Sequence, residues 1–361
     1  MNRPAFRLLF VLLLAFSSGT ALAQTQEKPF QSPSLENEDA WTLVLFPDTQ
    51  SYVKFQRNQP ILDLMVHWVL DQIEPLQVEL VLHVGDLVEH NALQIPDGII
   101  ADQTGREQWE SVSRSMGKFD QRVPFIATTG NHDFGIKNVE NRVSYYDRYF
   151  PIEKNRFTRG MLRDHGLDAQ GMPTLINASY EFESPDGEKF LILVIEFAPR
   201  DASLEWAREL VNREAYARHR VILLNHSYLD RNSEFIETEG YPISDRNYGK
   251  AVWEKLVKPS KNIELVFSGH IGDPDNPEGH VGFRTDTNAA GRKVHQMTFN
   301  AQALGGGWHG NGGDGWLRLL EFNGLEVTVK TFSPLFAISP ATRHLAWGTG
   351  AYETFTFRLD P

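Results

Sequence analysis

Five short apolar segments of the chain each end in side chains that can bind a metal ion or transfer a proton. Those side chains are Asp48 and Gln50, then Asp86, then Asn131 with His132 and Asp133, then His226, and finally His270. Divalent first-row metal ions accept imidazole, carboxylate and amide oxygen as ligands. Because the chain contains no cysteine, any bound metal must be held by donors of these kinds. Spacing alone leaves open whether His270 belongs to a metal site or to a polar turn.

Asp86 has the chemistry of a bridging ligand. A carboxylate can bridge two cations that lie roughly 3.5–4 Å apart, the separation found in two-metal sites. Such a pair favours phosphate ester hydrolysis, because it binds the phosphoryl oxygens, lowers the pKa of a bound water and stabilises the developing charge. His132 adjoins Asn131 but is not required as a ligand. It can instead donate a hydrogen bond to the phosphate or protonate the leaving oxygen.

The segments that carry these residues have the composition of strands buried on both faces. They are short, rich in β-branched residues and almost continuously apolar. They cover residues 41–46, 80–84, 123–129, 221–224 and 263–267. In open α/β sheets, ligands bind outside the carboxyl ends of the strands. We therefore expect the five segment ends to converge on one site.

Helices are predicted between the first strands, and more strands towards the end of the chain. Apolar residues recur at helical spacing in residues 62–73, 109–119 and 204–211. Strand character returns in residues 294–300, 316–322, 325–332 and 353–359. Asn323-Gly324 predicts a tight hairpin between two of these strands. The pattern indicates an α/β fold with two packed sheets and helices outside them.

The order of the polar residues resembles the motifs of the calcineurin-like metallophosphoesterases. The motifs are Asp48-x-Gln50, Gly85-Asp86, Gly130-Asn131-His132-Asp133, His226 and Gly269-His270. Similarity to a secreted bacterial branch with an Asp-Thr-Gln first motif continues in residues 107–110, 294–297 and 315–319. The resemblance implies a four-layer αββα sandwich of two mixed β-sheets with a binuclear metal centre.

The resemblance also implies a role for each residue. One metal would be held by Asp48, Gln50 and the bridging Asp86. The other would be held by Asp86, Asn131, His226 and His270. His132 would be the catalytic histidine, and Asp133 would orient it.

Two positions depart from the pattern of this family. Residue 50 is Gln where His is common, and residue 272 is Gly where a second His completes the shell of the first metal. The first metal then has only oxygen or amide donors. This predicts weak binding, a preference for Mn²⁺ or Mg²⁺, or a ligand taken from elsewhere. The candidates for such a ligand are His280, His295 and Asp273.

The first 23 residues have the features of a secretory signal peptide. Arg3 and Arg7 precede an apolar stretch at residues 8–16, and Ala21-Leu22-Ala23 resembles a cleavage site. The apolar stretch is shorter than the roughly 20 residues that span a bilayer, and a retained anchor is the alternative. We predict export of the mature protein to the periplasm or the extracellular medium of a bacterium, with no transmembrane segment after signal removal.

The remaining chain is divided by composition. Residues 24–39 are predicted to be a linker, and residues 40–361 a calcineurin-like phosphoesterase domain. Residues 134–179 are rich in aromatic and charged residues with weak periodicity, which predicts an irregular excursion over the site.

The formal net charge of −12 disfavours nucleic acid as a partner. A small phosphate ester remains a suitable substrate, because a bound metal dominates the local field. The sequence therefore predicts a secreted, metal-dependent hydrolase of phosphate mono- or diesters with one or two divalent ions. It does not distinguish among Mn, Fe, Zn and Mg, nor does it indicate an oligomeric state. The alternative is a non-catalytic or single-metal protein that binds phosphate or another ligand on the same fold.

Overall fold

Two mixed β-sheets pack face to face, and helices cover their outer surfaces, which confirms the predicted fold class. This computed structural model describes residues 30–361, without the side chains of residues 277 and 278. Residues 32–361 form one compact unit. The predicted signal peptide, residues 1–23, lies outside the described residues, as do residues 24–29 of the predicted linker.

The strands of the two sheets follow one another along most of the described chain. They are β1 (Trp41–Phe46), β2 (Val78–His83), β3 (Phe125–Ala127), β4 (Leu162–Leu167), β5 (Pro173–Glu183), β6 (Lys189–Val194), β7 (Arg220–Leu224), β8 (Ile263–Ser268), β9 (Val281–Thr287), β10 (Lys293–Phe299), β11 (Leu317–Asn323), β12 (Glu326–Phe332) and β13 (Thr354–Arg358). The first sheet has the order β13-β12-β11-β1-β2-β3, and the second has the order β4-β5-β6-β7-β8-β10-β9.

Each sheet has a parallel part that carries the predicted site residues. Strands β1, β2 and β3 are parallel neighbours, and so are β6, β7, β8 and β10. The remaining strands are antiparallel additions at the edges. Because the carboxyl ends of parallel neighbours meet at one edge, the residues that follow β1 and β2 lie together, and so do those that follow β7 and β8. The packing of the two sheets then brings His226, after β7, next to Asp48 and Asp86.

Helices lie between and after the strands. They are α1 (Gln50–Val53), α2 (Gln59–Gln72), α3 (Gly105–Met116), α4 (Tyr146–Tyr149), α5 (Arg156–Met161), α6 (Asp201–Val211), α7 (Gly249–Val252) and α8 (Pro334–Ala337). Thr104 begins α3 with a capping box, in which its hydroxyl accepts from the amide of Glu107 and the Glu107 carboxylate accepts from the amide of Thr104. No helix within residues 30–361 has the length and apolar character needed to cross a membrane.

The main core lies between the sheets. Alternate residues of a strand point to opposite faces, and the inward set includes Trp41 of β1, Ile192 of β6 and Phe322 of β11. The rings of Trp41 and Phe322 stack with centroids 4.3 Å apart. On the outer face of the second sheet, Leu204 and Leu210 of α6 belong to a separate apolar cluster. Both faces of the central strands are therefore buried, which explains their continuous apolar sequence.

The structure bears out the predicted hairpin, but the second sheet contains more strands than the sequence predicted. Asn323 pairs with Glu326 across a two-residue turn, and Gly324 has a φ of 58° that suits a glycine. Strands β4, β5, β6 and β9 were not predicted. Part of the predicted irregular excursion, residues 162–179, forms β4 and most of β5. Strand β4 escaped detection because it is an edge strand with polar residues and two register shifts.

Replacing Trp41 by Ala should destabilise the fold by about 3–5 kcal/mol, because a large side chain is removed from the packed core between the sheets. Urea denaturation would measure this as a lower midpoint. Ile95→Ala is the control, since Ile95 is 83% exposed and its truncation should change stability by no more than about 0.5 kcal/mol. Equal midpoints for the two variants would contradict the packing described for Trp41.

Candidate metal centre

Two pairs of parallel strands, one pair in each sheet, place four of the predicted residues around one point. Asp48 follows β1, Asp86 follows β2, His226 follows β7 and His270 follows β8. Nε2 of His226 lies 3.1 Å from Oδ2 of Asp86 and 3.9 Å from Oδ2 of Asp48. One donor atom each from Asp86, His226 and His270 lies within 4.8 Å of the others. This spacing suits a shared metal ion.

The hydrogen bond on one ring nitrogen of His226 fixes its tautomer. Nδ1 lies 2.7 Å from the carbonyl oxygen of Val84, and a carbonyl only accepts. Nδ1 therefore carries the proton, and in the neutral ring Nε2 has a free lone pair. Nε2 is buried and has no well-aligned hydrogen bond to any described residue. This is the arrangement that a metal-binding imidazole requires.

His270 is held in place by a carboxylate and by its own backbone. Its Nε2 lies 2.6 Å from Oε1 of Glu239, whose other oxygen accepts from the hydroxyl of Ser227 at 2.6 Å. The backbone amide of His270 donates to Oδ2 of Asp48 at 3.2 Å. A φ of 73° at His270 is rare for a residue other than glycine. The strand end is thus bent so that both the amide and the ring of His270 face the site.

Two amide side chains each leave an oxygen without a partner. Asn131 donates from Nδ2 to Oδ1 of Asn138 at 2.8 Å, and Gln50 donates from Nε2 to Oε2 of Glu89 at 3.2 Å. Oδ1 of Asn131 and Oε1 of Gln50 are buried and accept no hydrogen bond from the part of the chain described here. Buried polar atoms are rarely left unpaired, so both oxygens are suitable metal donors.

His132 adjoins the centre and is anchored by backbone carbonyls. Its Nδ1 lies 2.8 Å from the carbonyl oxygen of Glu89 and 3.2 Å from that of Lys137, so Nδ1 is the donor and Nε2 faces away from these carbonyls. Its backbone amide donates to Oδ1 of Asp86 at 2.9 Å. Burial disfavours the charged ring, but the carboxylates of Asp86 and Glu89 outweigh burial and raise the pKa of His132.

The family resemblance implies that Asp133 orients the ring of His132, but the carboxylate of Asp133 binds other groups. Its oxygens accept from the backbone amides of Val88, at 3.1 Å, and Gly130, at 2.8 Å. Residues Asn131–Asp133 form one turn of 3₁₀ helix. In this turn the ring of His132 and the carboxylate of Asp133 bind different partners, the carbonyl of Glu89 and the amides of Val88 and Gly130. Asp133 therefore shapes the loop that carries Asn131 and His132.

Buried carboxylates are concentrated at the centre. Burial and the negative charge of Asp86 raise the pKa of Asp48 well above its usual range, and the same causes raise the pKa of Asp133 to about 8. Burial opposes ionisation of Asp86 as well, but His226 and His132 outweigh it and lower the pKa of Asp86. Negative charges in a low-dielectric interior repel each other strongly. A bound cation would relieve this repulsion.

Glycines let the strand ends approach closely. A Cβ atom built on Gly130 would overlap the carboxylate of Asp86, and one built on Gly269 would overlap that of Asp48. Gly85 has a φ of 101°, and a Cβ there would lie 2.7 Å from Nδ1 of His226. Only a residue without a side chain fits at these places.

Position 272 offers no donor, and the sequence candidates for its replacement bind other residues. A Cβ on Gly272 would lie 3.1 Å from Cη2 of Trp308. Nε2 of His280 lies 2.6 Å from Oε1 of Glu353, and Asp273 is paired with Arg231. Both ring nitrogens of His295 are hydrogen-bonded, to the Thr285 hydroxyl and the Arg358 carbonyl.

Three residues around the centre were missed from sequence. Asn300 donates from Nδ2 to Oδ2 of Asp48 at 2.8 Å; it follows β10, so the strand-end rule could have identified it. Glu239 and Glu89 lie in loops, where no periodic signal marks them. A donor atom of Glu89 lies within 4.8 Å of donors from His90 and His132, which form a second group beside the first.

Comparisons with known proteins match the chain to a family model and to a bacterial relative. A model of the family described as calcineurin-like phosphoesterase matches residues 44–274. The chain is 27% identical over 300 residues to the uncharacterized protein YvnB of Bacillus subtilis (strain 168), an alignment that covers 82% of this chain. The chain spans only 20% of the length of that relative.

Two solved structures are similar over most of the chain. The first is GAP50, described as the anchor in the inner membrane complex of Plasmodium, with a TM-score of 0.44, 12% identity and 89% coverage of both chains. The second is a conserved uncharacterized protein and predicted phosphoesterase of Streptococcus pneumoniae TIGR4. Its TM-score is 0.31 and its identity 10%, over 88% of this chain and 98% of that chain.

Substituting Gly130 by Ala should destabilise the protein by about 1–3 kcal/mol, because the new methyl group has to displace the Asp86 carboxylate or the loop. The measurement is urea denaturation of the purified protein. Gly160→Ala is the matched control, since nothing lies within 4 Å of a Cβ built there, and it should leave stability unchanged or raise it slightly. The close approach of the two loops is contradicted if Gly130→Ala unfolds at the wild-type midpoint.

Proposed function

Because the chain belongs to the calcineurin-like phosphoesterase family, we propose that it is a secreted, metal-dependent hydrolase of a phosphate mono- or diester. The main support from geometry is a set of three buried donor atoms without hydrogen-bond partners among the described residues, Oε1 of Gln50, Oδ1 of Asn131 and Nε2 of His226. Gln50 contacts Asp86 through its backbone amide and His226 through its ring, and Asn131 immediately precedes His132, whose backbone amide donates to Asp86.

The donor set fits two divalent cations that share Asp86. Asp48, Gln50 and Asp86 would hold one of them. Asp86, Asn131, His226 and His270 would hold the other. The fit rests on the unpartnered donors, on the spacing of Asp86, His226 and His270 and on the cluster of buried carboxylates. When bound, such cations bind phosphoryl oxygens and lower the pKa of an attacking water.

His132 is the residue we assign to proton transfer. Its Nδ1 is committed to backbone carbonyls, so Nε2 is the atom available to a substrate. The raised pKa of His132 favours the protonated ring. A protonated Nε2 donates a hydrogen bond to a phosphoryl oxygen or a proton to the leaving oxygen. Asp133 has no contact with the reacting groups in this scheme and instead supports the loop.

We place this activity outside the cytoplasm. The support is the basic start, short apolar stretch and Ala-x-Ala ending of the first 23 residues. The absence of cysteine leaves the site independent of the redox state of its compartment. The substrate would be a small phosphate ester available in the periplasm or the medium.

Removal of metal should abolish hydrolysis, because the bound cations would be the groups that lower the pKa of the attacking water. The purified protein would be dialysed against a chelator and assayed with p-nitrophenyl phosphate and its bis ester. Activity should return on addition of Mn²⁺ or Zn²⁺, and the ratio of the two rates would give the preference for mono- or diester. Full activity at zero metal content would overturn the proposal.

His132→Ala should lower kcat by about 10²–10⁴-fold, because a positioned proton donor is lost, while metal content stays unchanged. Elemental analysis and the same ester assays measure both quantities. His67→Ala is the control, since His67 is exposed on α2 and its removal should have no effect. Loss of metal together with activity in His132→Ala would instead identify His132 as a ligand.

A second function is favoured by one observation, the lack of a donor at position 272. Trp308 packs against Gly272, and the alternative donors are engaged elsewhere. A chain with only one filled metal site would bind a phosphate compound without hydrolysing it. Anomalous scattering from crystals of the metal-loaded protein would count the ions. One ion per chain, with phosphate bound and no ester hydrolysed, would favour this function over the first.

A further inference from the structure

The orientation of the Gln50 amide is imposed by a neighbouring carboxylate. Nε2 of Gln50 donates to Oε2 of Glu89 at 3.2 Å. An ionised carboxylate only accepts hydrogen bonds, so the NH₂ group of Gln50 must face Glu89 and its oxygen must face away. That oxygen is buried and unpartnered among residues 30–361. Without Glu89, the amide would be free to turn its NH₂ group towards the site.

A buried lysine holds Glu89 in turn. Nζ of Lys54 lies 3.0 Å from the same Oε2, and the two side chains are only 2% and 9% exposed. Breaking one partner of such a pair leaves an uncompensated buried charge, whereas the intact pair is neutral. Lys54 and Glu89 therefore contribute orientation to Gln50 and no net charge to the site. The same ion pair argues against a separate metal at Glu89, His90 and His132, because an ammonium group already occupies the carboxylate.

The donors assigned to the half of the centre that contains Gln50 are all oxygens. They are the carboxylates of Asp48 and Asp86 and the amide oxygen of Gln50, and Gly272 adds none. The other half of the centre has the imidazoles of His226 and His270. Hard cations such as Mg²⁺ and Mn²⁺ prefer carboxylate and carbonyl oxygen, whereas imidazole suits Zn²⁺ and its neighbours in the series.

We propose that the buried Lys54–Glu89 ion pair positions the Gln50 amide so that its oxygen binds a metal, and that this half of the centre selects a hard cation such as Mn²⁺ or Mg²⁺. The proposal rests on the metal centre of the proposed function. Beyond the ligand set given there, it identifies the residues that orient Gln50 and assigns different metal classes to the two halves of one site.

The test is Mn²⁺ binding to protein that carries one equivalent of Zn²⁺, with free Mn²⁺ followed by electron paramagnetic resonance. The double variant Lys54→Met with Glu89→Leu removes the ion pair without changing the net charge. We expect it to bind Mn²⁺ roughly 10–100-fold more weakly, the usual cost of losing a group that orients a ligand. Gln50→Leu should lose at least as much affinity.

Comparing the losses of Mn²⁺ affinity among the variants distinguishes positioning of Gln50 from a general loss of stability. Because the ion pair acts through Gln50, the triple variant should bind Mn²⁺ no more weakly than Gln50→Leu. Unchanged Mn²⁺ affinity in the double variant, or additive losses in the triple variant, would overturn the proposal. The matched control is Lys330→Met with Glu321→Leu, which removes a similar pair, 13% and 6% exposed, between β11 and β12. It should leave Mn²⁺ affinity unchanged.

A second substitution tests the selectivity without disturbing the ion pair. Gln50→His replaces the amide by an imidazole, and competition between Mn²⁺ and a second equivalent of Zn²⁺ should then shift at least tenfold towards Zn²⁺. No shift would contradict a direct role for residue 50, even if the double variant fails to fold. Binding is measured without substrate, so a protein that hydrolyses no phosphate ester would refute the proposed function and leave this result intact.

Discussion

The crowding of buried carboxylates at the ends of parallel strands is the constraint that governs this structure. Asp48 and Asp86 follow neighbouring strands, and Asp133 lies in the next loop of the same sheet edge. Burial raises the free energy of ionising each carboxylate, and every carboxylate that is ionised makes ionisation of the others less favourable. Hydrogen bonds from the backbone amides of His270 and His132 stabilise part of the negative charge on Asp48 and Asp86. Positive charge on imidazoles and on bound cations would stabilise the remaining negative charge.

The part of the site that could be predicted from sequence is the part that follows a strand. A central strand is visible as a continuous apolar run, and the parallel order then places its last residues with those of its neighbours. The strand-end rule therefore predicts the proximity of Asp48, Asp86, His226 and His270. Asn300 obeys the same rule, since it follows the last residue of β10 and donates to Asp48.

The remaining features depend on side-chain directions that no periodicity reveals. Glu239 reaches His270 from a loop, and Glu89 reaches Gln50 from three residues beyond Asp86. The family resemblance implies that Asp133 orients His132, yet the carboxylate of Asp133 lies in a 3₁₀ turn and accepts from backbone amides instead. An edge strand such as β4 is also hard to predict from sequence. Most of its solvent-facing residues are polar, so it has no continuous apolar run.

The contact between Gly272 and Trp308 restricts which pairs of residues can occupy these two positions in related proteins. A side chain at position 272 would press on the tip of the indole ring, with even a Cβ only 3.1 Å from Cη2. A residue larger than glycine at this place requires the indole ring to shift by a few tenths of an ångström, so the two positions constrain each other. Residues 272 and 308 should therefore change together in related proteins, and the identity of one should indicate the identity of the other.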